Sequence, residues 1–365
     1  MTRIQLRNLW FQVHKWIGLT LAVLIIPISI TGALLVWDEP FQAWLHPERH
    51  HASVPASLPV TAYADAARAA LAPGQRLSRI ELGKDEPVIA TATRPSRGRP
   101  MRVSVYLDPA TARVIATETS GQGVFAVMHS LHGSLMLPGV GRQIVGWIGM
   151  AMLFSSLTGL WLWWPTAGRL RRAFRFGRHR NLDHNLHQTF GFWIALPLFV
   201  LSLTGVWISF PSWFAGVDGP RPKGPDRALL MRAQPLEAPS TPLGDAVAHA
   251  QAAAQGAVRS VAWPTDQKPA WTIEIAAKGP SAQISIADKD GAATIAPRAA
   301  RPQTETTARL MRRIHDGTNM GLVWQIIIFL GGLIPAGLAI TGVIMWWRAR
   351  GWRGDLAARK ARAAA

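Results

Sequence analysis

Four histidines keep matched positions along the chain. His14 and His187 lie 173 residues apart, and His132 and His315 lie 183 apart. Their neighbours repeat at the same offsets. His14-Lys-Trp-Ile-Gly18 parallels His187-Gln-Thr-Phe-Gly191, and Thr31-Gly32 parallels Thr204-Gly205. Thr158-Gly159, running into Trp163-Trp164, parallels Thr341-Gly342, running into Trp346-Trp347. Imidazole is a common metal ligand and titrates near neutral pH. Two imidazoles facing each other suit the axial positions of a b-type haem, and two matched pairs suit two such haems. Zinc is the alternative; it takes three or four close ligands, and each pair offers two. The chain has no cysteine. That excludes disulfides, Cys-ligated zinc, iron–sulfur clusters, thiol catalysis and covalently attached haem.

Other residues near these four are open to more than one reading. A single histidine at a membrane border is ordinarily bonded to a backbone carbonyl; the matched pairs ask for more. Gly18 and Gly191 follow His14 and His187 by four residues, on the same helical face. They either leave room for a porphyrin or serve close helix packing. His129 and His184 stand three residues before His132 and His187. Neither has a counterpart, since His129 aligns with Arg312 and His184 with Phe11. His132 and His187 are therefore the expected ligands, with His129 and His184 as competitors. Arg142, Arg313, Arg7 and Lys15 are placed to pair with haem propionates or to anchor the interface. His46, His50 and His51 read as a solvated loop, with transient metal contact as the sharper alternative.

The elements that must position these residues are membrane spans. Apolar residues make up 49% of the chain and charged residues 16%, against a soluble norm of about 25% charged. Four stretches free of Asp, Glu, Lys and Arg reach the spanning length of about 20 residues. Lys and Arg number 15 in the 58 residues of segments 1–16, 165–188 and 348–365, but 23 in the 213 residues of 39–141 and 212–321. The positive-inside rule then puts both termini and the short basic loop in the cytoplasm. The net charge of +18 is a topology signal first, which removes nucleic acid as a partner. Trp residues flank the spans as an interfacial belt.

The expected organisation is a membrane α-helical protein: a four-helix transmembrane bundle built as a 2+2 parallel internal repeat, with two small α+β domains outside. The boundaries are 1–16 cytoplasmic, 17–37 first span, 38–128 outer domain, 129–142 a His-containing outer segment and 143–164 second span. They continue as 165–188 basic cytoplasmic loop, 189–211 third span, 212–314 second outer domain, 315–347 a His-containing segment with the fourth span, and 348–365 cytoplasmic tail. Asp108-Pro-Ala-Thr111 and Asp288-Lys-Asp-Gly291 read as turns between strands of the outer domains. Under a twofold axis along the membrane normal, His14 faces His187 near the cytoplasmic surface and His132 faces His315 near the outer one.

Taken together, His14-x-x-x-Gly18-Leu19, Asp108-Pro-Ala-Thr111, His129-Ser-Leu-His132-Gly133 and the Thr-Gly…Trp-Trp endings resemble the PepSY-associated transmembrane family. These proteins are often described as iron-regulated membrane proteins. The resemblance covers about residues 8–350. It implies PepSY-like outer domains, a bacterial inner-membrane location, and the activity of a ferric-siderophore reductase holding b-type haem and releasing Fe(II). No G-x-G-x-x-G follows a strand, so the electron donor is expected to be a quinol or a separate cytoplasmic reductase. A homodimer is compatible with the sequence. Two other classes compete: a siderophore or iron transporter without redox chemistry, and a PepSY-type sensor or scaffold. Against transport, no span carries an acidic or basic residue to couple substrate. Against a scaffold, the paired histidines have no purpose there.

Overall fold

The computed structural model describes residues 2–52, 54–84, 86–94, 101–164, 176, 179–217, 233–276, 281–296 and 305–364. Arg169, Arg171, Arg172, Arg175 and Arg178 of the expected basic loop lie outside them. The chain divides into two compact units, residues 1–38, 124–220 and 305–365 in one, and 39–123 and 221–304 in the other.

The first unit is a helical bundle. Its long helices are α1 (Arg3–Leu35), α5 (Gly141–Trp163), α6 (Leu182–Ser209) and α9 (Leu322–Ala364), and the short α4 (Val124–Ser134) and α8 (Thr307–Asp316) belong with them. The four long helices are long and apolar enough to cross a membrane. Mean hydropathy of their most apolar windows runs from 1.5 to 2.3, yet only 22% to 33% of each window is buried. The apolar surface left outside, including Val23, Trp193 and Leu196, is what a bilayer covers.

Helix α1 starts where Thr2 and Gln5 cap it reciprocally, Thr2 Oγ1 accepting from Gln5 N–H and Gln5 Oε1 from Thr2 N–H. It therefore begins at Arg3, well before residue 17, and His14 sits inside it. Helix α6 likewise begins at Leu182, so His187 is in its second turn. At the other end α9 runs through residue 347 to Ala364, because Arg and Ala continue a helix readily. Pro27, Pro197 and Pro335 are accommodated within α1, α6 and α9. The long helices close a ring: α1 lies beside α9, α9 beside α6, α6 beside α5, and α5 beside α1. Gly332 brings α9 close against α1; a Cβ there would stand 2.6 Å from the Ser29 carbonyl oxygen.

The sequence places His315 in a segment just before the fourth span, and the structure gives that segment its own helix. His315 is on the separate helix α8, which Gly317 ends in the left-handed conformation at φ 79°. Asn319 and Gly321 also take positive φ before α9 starts. His132 is on α4, and Leu135, Met136 and Gly139 make the corresponding break before α5.

In the second unit the two segments expected as separate domains share one sheet. Strands β1 (Arg76–Glu81), β2 (Val88–Arg94), β3 (Met101–Leu107) and β4 (Val114–Thr119) come from the first segment. Strands β5 (Ala257–Ala262), β6 (Ala270–Ala276), β7 (Ala282–Ala287) and β8 (Ala293–Ala296) come from the second. The order is β4-β3-β2-β1-β5-β6-β7-β8, and all the strand pairs are antiparallel. Each four-stranded meander would expose an edge if left alone; pairing β1 with β5 through Ile80↔Val261 removes one edge from each. Helices α3 (Val60–Ala70) and α7 (Leu243–Ala253) pack on this sheet, and Ala64, Ala67, Ala246 and Ala250 join Ile80, Val105, Trp271 and Ile284 in a single core. Helix α2 (Asp38–Leu45) precedes α3.

Two polar fixings set the β3–β4 end. Asp108 Oδ1 accepts from the Thr111 hydroxyl and from the Ala110 and Thr111 N–H groups, closing the Asp-Pro-Ala-Thr turn. The Thr111 hydroxyl and these amides hold the Asp108 carboxyl below its ordinary value. Its contribution to stability is thus present above the usual carboxylate range and is lost as pH falls through the lowered folded-state value. The fully buried Tyr63 donates to the Pro109 carbonyl and accepts from Ser57 and Leu58 N–H. Tyr63→Phe removes the buried hydroxyl that donates to the Pro109 carbonyl and takes the acceptor from the Leu58 amide, and should cost about 2 kcal/mol. A lowered thermal midpoint of the purified protein, read by intrinsic fluorescence, checks this; an unchanged midpoint contradicts it.

Candidate functional site

The four matched histidines meet in two pairs. His14 on α1 and His187 on α6 have ring centroids 6.4 Å apart, with planes at 90°. His132 on α4 and His315 on α8 have centroids 6.0 Å apart, with planes at 40°. Helices α1 and α6 are diagonal in the ring of four, so the first pair meets across the bundle interior. Helix α4 packs on α1 and α5, and α8 packs on α6 and α9, which brings the second pair together in the same way.

Each ring is held by a segment far away in sequence. His14 Nδ1 is 3.1 Å from Thr158 Oγ1 and 3.3 Å from Ser155 Oγ. His187 Nδ1 is 2.9 Å from Thr341 Oγ1. His132 Nδ1 donates to the Ile28 carbonyl at 2.8 Å. His315 Nδ1 lies 3.1 Å from the Leu201 carbonyl and 3.0 Å from Thr204 Oγ1. Nδ1 is thus engaged in every case, while Nε2 of all four takes no hydrogen-bond partner among the described residues. The carbonyl bonds at His132 and His315 are the ordinary reading of an interfacial histidine. They leave the pairing and the idle Nε2 atoms unexplained.

The residues fit haem by three tests. A metal–imidazole bond is about 2 Å and a ring nitrogen lies about 1.1 Å from the ring centre, so two imidazoles trans on one iron have centroids about 6 Å apart. Both pairs have that spacing. Second, no group of three or more His, Cys, Asp or Glu able to hold a metal ion occurs among the described residues. A two-donor site needs a cofactor that brings its own equatorial ligands, as a porphyrin does. Third, Gly18 has nothing within 4 Å of where a Cβ would be, and Gly191 only Leu338 Cδ2 at 4.0 Å. Neither glycine packs a helix tightly; both leave space beside the first pair.

The competing histidines separate from the ligand positions. His129 is exposed on α4. The His184 ring faces His179 at 5.4 Å, and its Nδ1 is buried without a partner. His46 bonds Glu48 at 3.2 Å beside the turn Pro47–Arg49. The basic residues proposed for propionates mostly have other work. Arg7 donates to the Trp161, Leu162 and Trp164 carbonyls at the end of α5, and Arg142 to the Ile208 carbonyl at the end of α6. Both satisfy orphan carbonyls at helix C-termini. Lys15 bonds Gln12 and stands 4.9 Å over the Trp16 ring. Arg313 pairs with Glu305 at 3.3 Å but keeps a buried Nε without a partner, which suits it to a carboxylate.

Sequence reasoning used Thr31-Gly32, Thr158-Gly159, Thr204-Gly205 and Thr341-Gly342 as markers of the repeat and gave them no role. The structure puts every one of them against a histidine. Their constant offset from the histidines was the available signal. On this geometry His132→Ala and His187→Ala should each lower haem bound per chain, counted as pyridine haemochrome, while His129→Ala keeps the wild-type count. The reverse pattern would reassign the ligands.

No curated protein sequence matches the chain. The family described as the PepSY-associated TM region matches residues 11–349. With that match over nearly its whole length, and with four helices able to cross a membrane, the chain belongs to the PepSY-associated transmembrane family.

Proposed function

We propose that this protein is an inner-membrane reductase that holds two b-type haems and passes electrons from the cytoplasmic side to a ferric siderophore in the periplasm, releasing Fe(II) for uptake. The observation that carries the reading is the pair of imidazole pairs at the spacing of bis-histidine ligation, each ring with Nε2 idle. His14 and His187 would hold one haem, and His132 and His315 the other. Haem, when bound, supplies a one-electron Fe(III)/Fe(II) couple whose potential the protein tunes.

The chain's own residues set where this happens. Thr31, close to the second pair, stands 17 residues beyond His14, and Thr204 stands 17 beyond His187. At 1.5 Å per helical residue that is about 26 Å, most of a hydrocarbon core about 30 Å thick. One pair then serves each face of the bilayer. The Lys/Arg distribution puts the His14/His187 end inside and both termini in the cytoplasm. The two halves of the chain, each with one span on either side of its α+β segment, are read as a 2+2 parallel repeat whose outer segments are periplasmic.

Iron chemistry supports the choice of substrate class. Hard oxygen donors hold Fe(III) far better than Fe(II), so one electron loosens the complex without destroying the siderophore. The donor would be a quinol or a separate cytoplasmic reductase.

The test is an absorption spectrum of detergent-purified protein, oxidised and dithionite-reduced, with a haemochrome count, followed by mixing reduced protein with a ferric hydroxamate and trapping Fe(II) with a chromogenic chelator. A sharp reduced α band, two haems per chain and coloured Fe(II) chelate are expected. Protein that stays colourless after haem supplementation defeats the reading and favours transport or a scaffold role. Red protein that yields no Fe(II) defeats the choice of substrate alone.

A further inference from the structure

The four Thr-Gly pairs occupy one position relative to four different histidines. A Cβ at Gly32 would stand 2.5 Å from His132 Cε1, at Gly159 3.1 Å from His14 Cε1, at Gly205 3.2 Å from His315 Cε1, and at Gly342 3.6 Å from His187 Cε1. Each glycine lies under an imidazole edge; at Gly32 a methyl group has no room unless the ring moves, and at Gly159 and Gly205 it fits only if the ring gives way slightly.

The threonine before each glycine has its own proton committed. Thr158 Oγ1 donates to the Phe154 and Ser155 carbonyls at 2.9 and 3.1 Å, and Thr341 Oγ1 to the Gly337 and Leu338 carbonyls at 2.9 and 3.1 Å. Thr204 Oγ1 donates to the Val200 and Leu201 carbonyls at 2.9 and 3.0 Å. Toward His14, His187 and His315 these oxygens can therefore only accept, so Nδ1 carries the ring hydrogen and Nε2 the lone pair; the Leu201 carbonyl shares the His315 hydrogen at 3.1 Å, and Ser155 Oγ stands 3.3 Å from His14 Nδ1. Thr31 differs. Its hydroxyl donates to the Pro27 and Ile28 carbonyls, and the His132 ring hydrogen goes to the Ile28 carbonyl instead.

We infer that the Thr-Gly pairs are positioning and tuning elements for the haem ligands: glycine admits the ring, and the hydroxyls of Thr158, Thr204 and Thr341, but not Thr31, fix its tautomer and strengthen it as a donor to iron. An acceptor at Nδ1–H makes the imidazole a better electron donor, which favours Fe(III) and lowers the reduction potential. Removing the acceptor raises it. The inference rests on the haem reading above.

The experiment is a spectroelectrochemical titration of haem-loaded Thr→Val variants at each of the four positions, with the low-temperature EPR spectrum of the ferric state as a second readout and Thr→Ser variants as the rescue. Thr158→Val and Thr341→Val should raise the midpoint potential of one haem and alter its EPR signal. Thr204→Val should shift the other haem the same way but by less, because the Leu201 carbonyl still accepts from His315, and Ser should restore all three. Thr31→Val should leave both haems at wild-type values, whereas Gly32→Ala should cost the protein most of one haem. Four equal shifts, or none, overturn the inference, as does failure of Ser to rescue. A Val variant that loses its haem while its Ser partner keeps haem at the wild-type potential supports it. Wild-type protein without haem instead overturns the reading underneath.

Discussion

A histidine ring inside a bilayer has two nitrogens and no water to satisfy them. That constraint organises the bundle. In an apolar medium an unpaired polar group costs several kcal/mol, on the order of a lost hydrogen bond or more. The chain meets it on one side of each ring, at Nδ1, with threonine hydroxyls and helix carbonyls. It leaves the other side, at Nε2, without a partner among the described residues. Four rings treated alike in this way make a stronger statement than any one of them. A buried histidine kept only for packing has no reason to present the same nitrogen each time.

The helix arrangement follows from bringing such rings together. Helices α1 and α6 carry His14 and His187 from diagonal corners of the ring, so their rings can meet only if the four helices pack closely. Small side chains allow it: Ser29, Thr31, Ser156, Thr158, Ser202 and Thr204 are buried along α1, α5 and α6. Gly332 lets α9 approach the α1 backbone. Asp183, a charged side chain buried in this unit, is tied to Arg348 at 2.9 Å at the end of the bundle. No other charged side chain of this unit is buried among the described residues.

How much of this the sequence reveals depends on the range of the interaction. Span positions, the four histidines and their pairing come from local composition and constant offsets, which need no tertiary contact. The start of α1 at Arg3 is also local, a reciprocal Thr2/Gln5 cap, yet the charge count masks it because Arg3, Arg7 and Lys15 read as a cytoplasmic tail. What escapes is long-range. Thr158 meets His14 across 144 residues, and Thr204 meets His315 across 111. No spacing rule names such partners. Arg7 and Arg142 read as anion partners, but orphan carbonyls at the ends of α5 and α6 claim them. The joining of two meanders through β1 and β5 is equally hidden, since each segment alone reads as a complete α+β unit.

The choice between a bound ion and a bound cofactor turns on counting donors. Each pair brings two neutral nitrogens, and no group of three or more candidate ligands surrounds either of them among the described residues. A bare divalent ion held by two imidazoles would keep an uncompensated double charge in a medium where charge is costly. A ferrous porphyrin is neutral at its centre, brings its own equatorial donors and would ask the protein for two imidazoles with centroids about 6 Å apart. Two imidazoles with no third ligand beside them among the described residues therefore suit a cofactor with its own equatorial donors better than a bare ion.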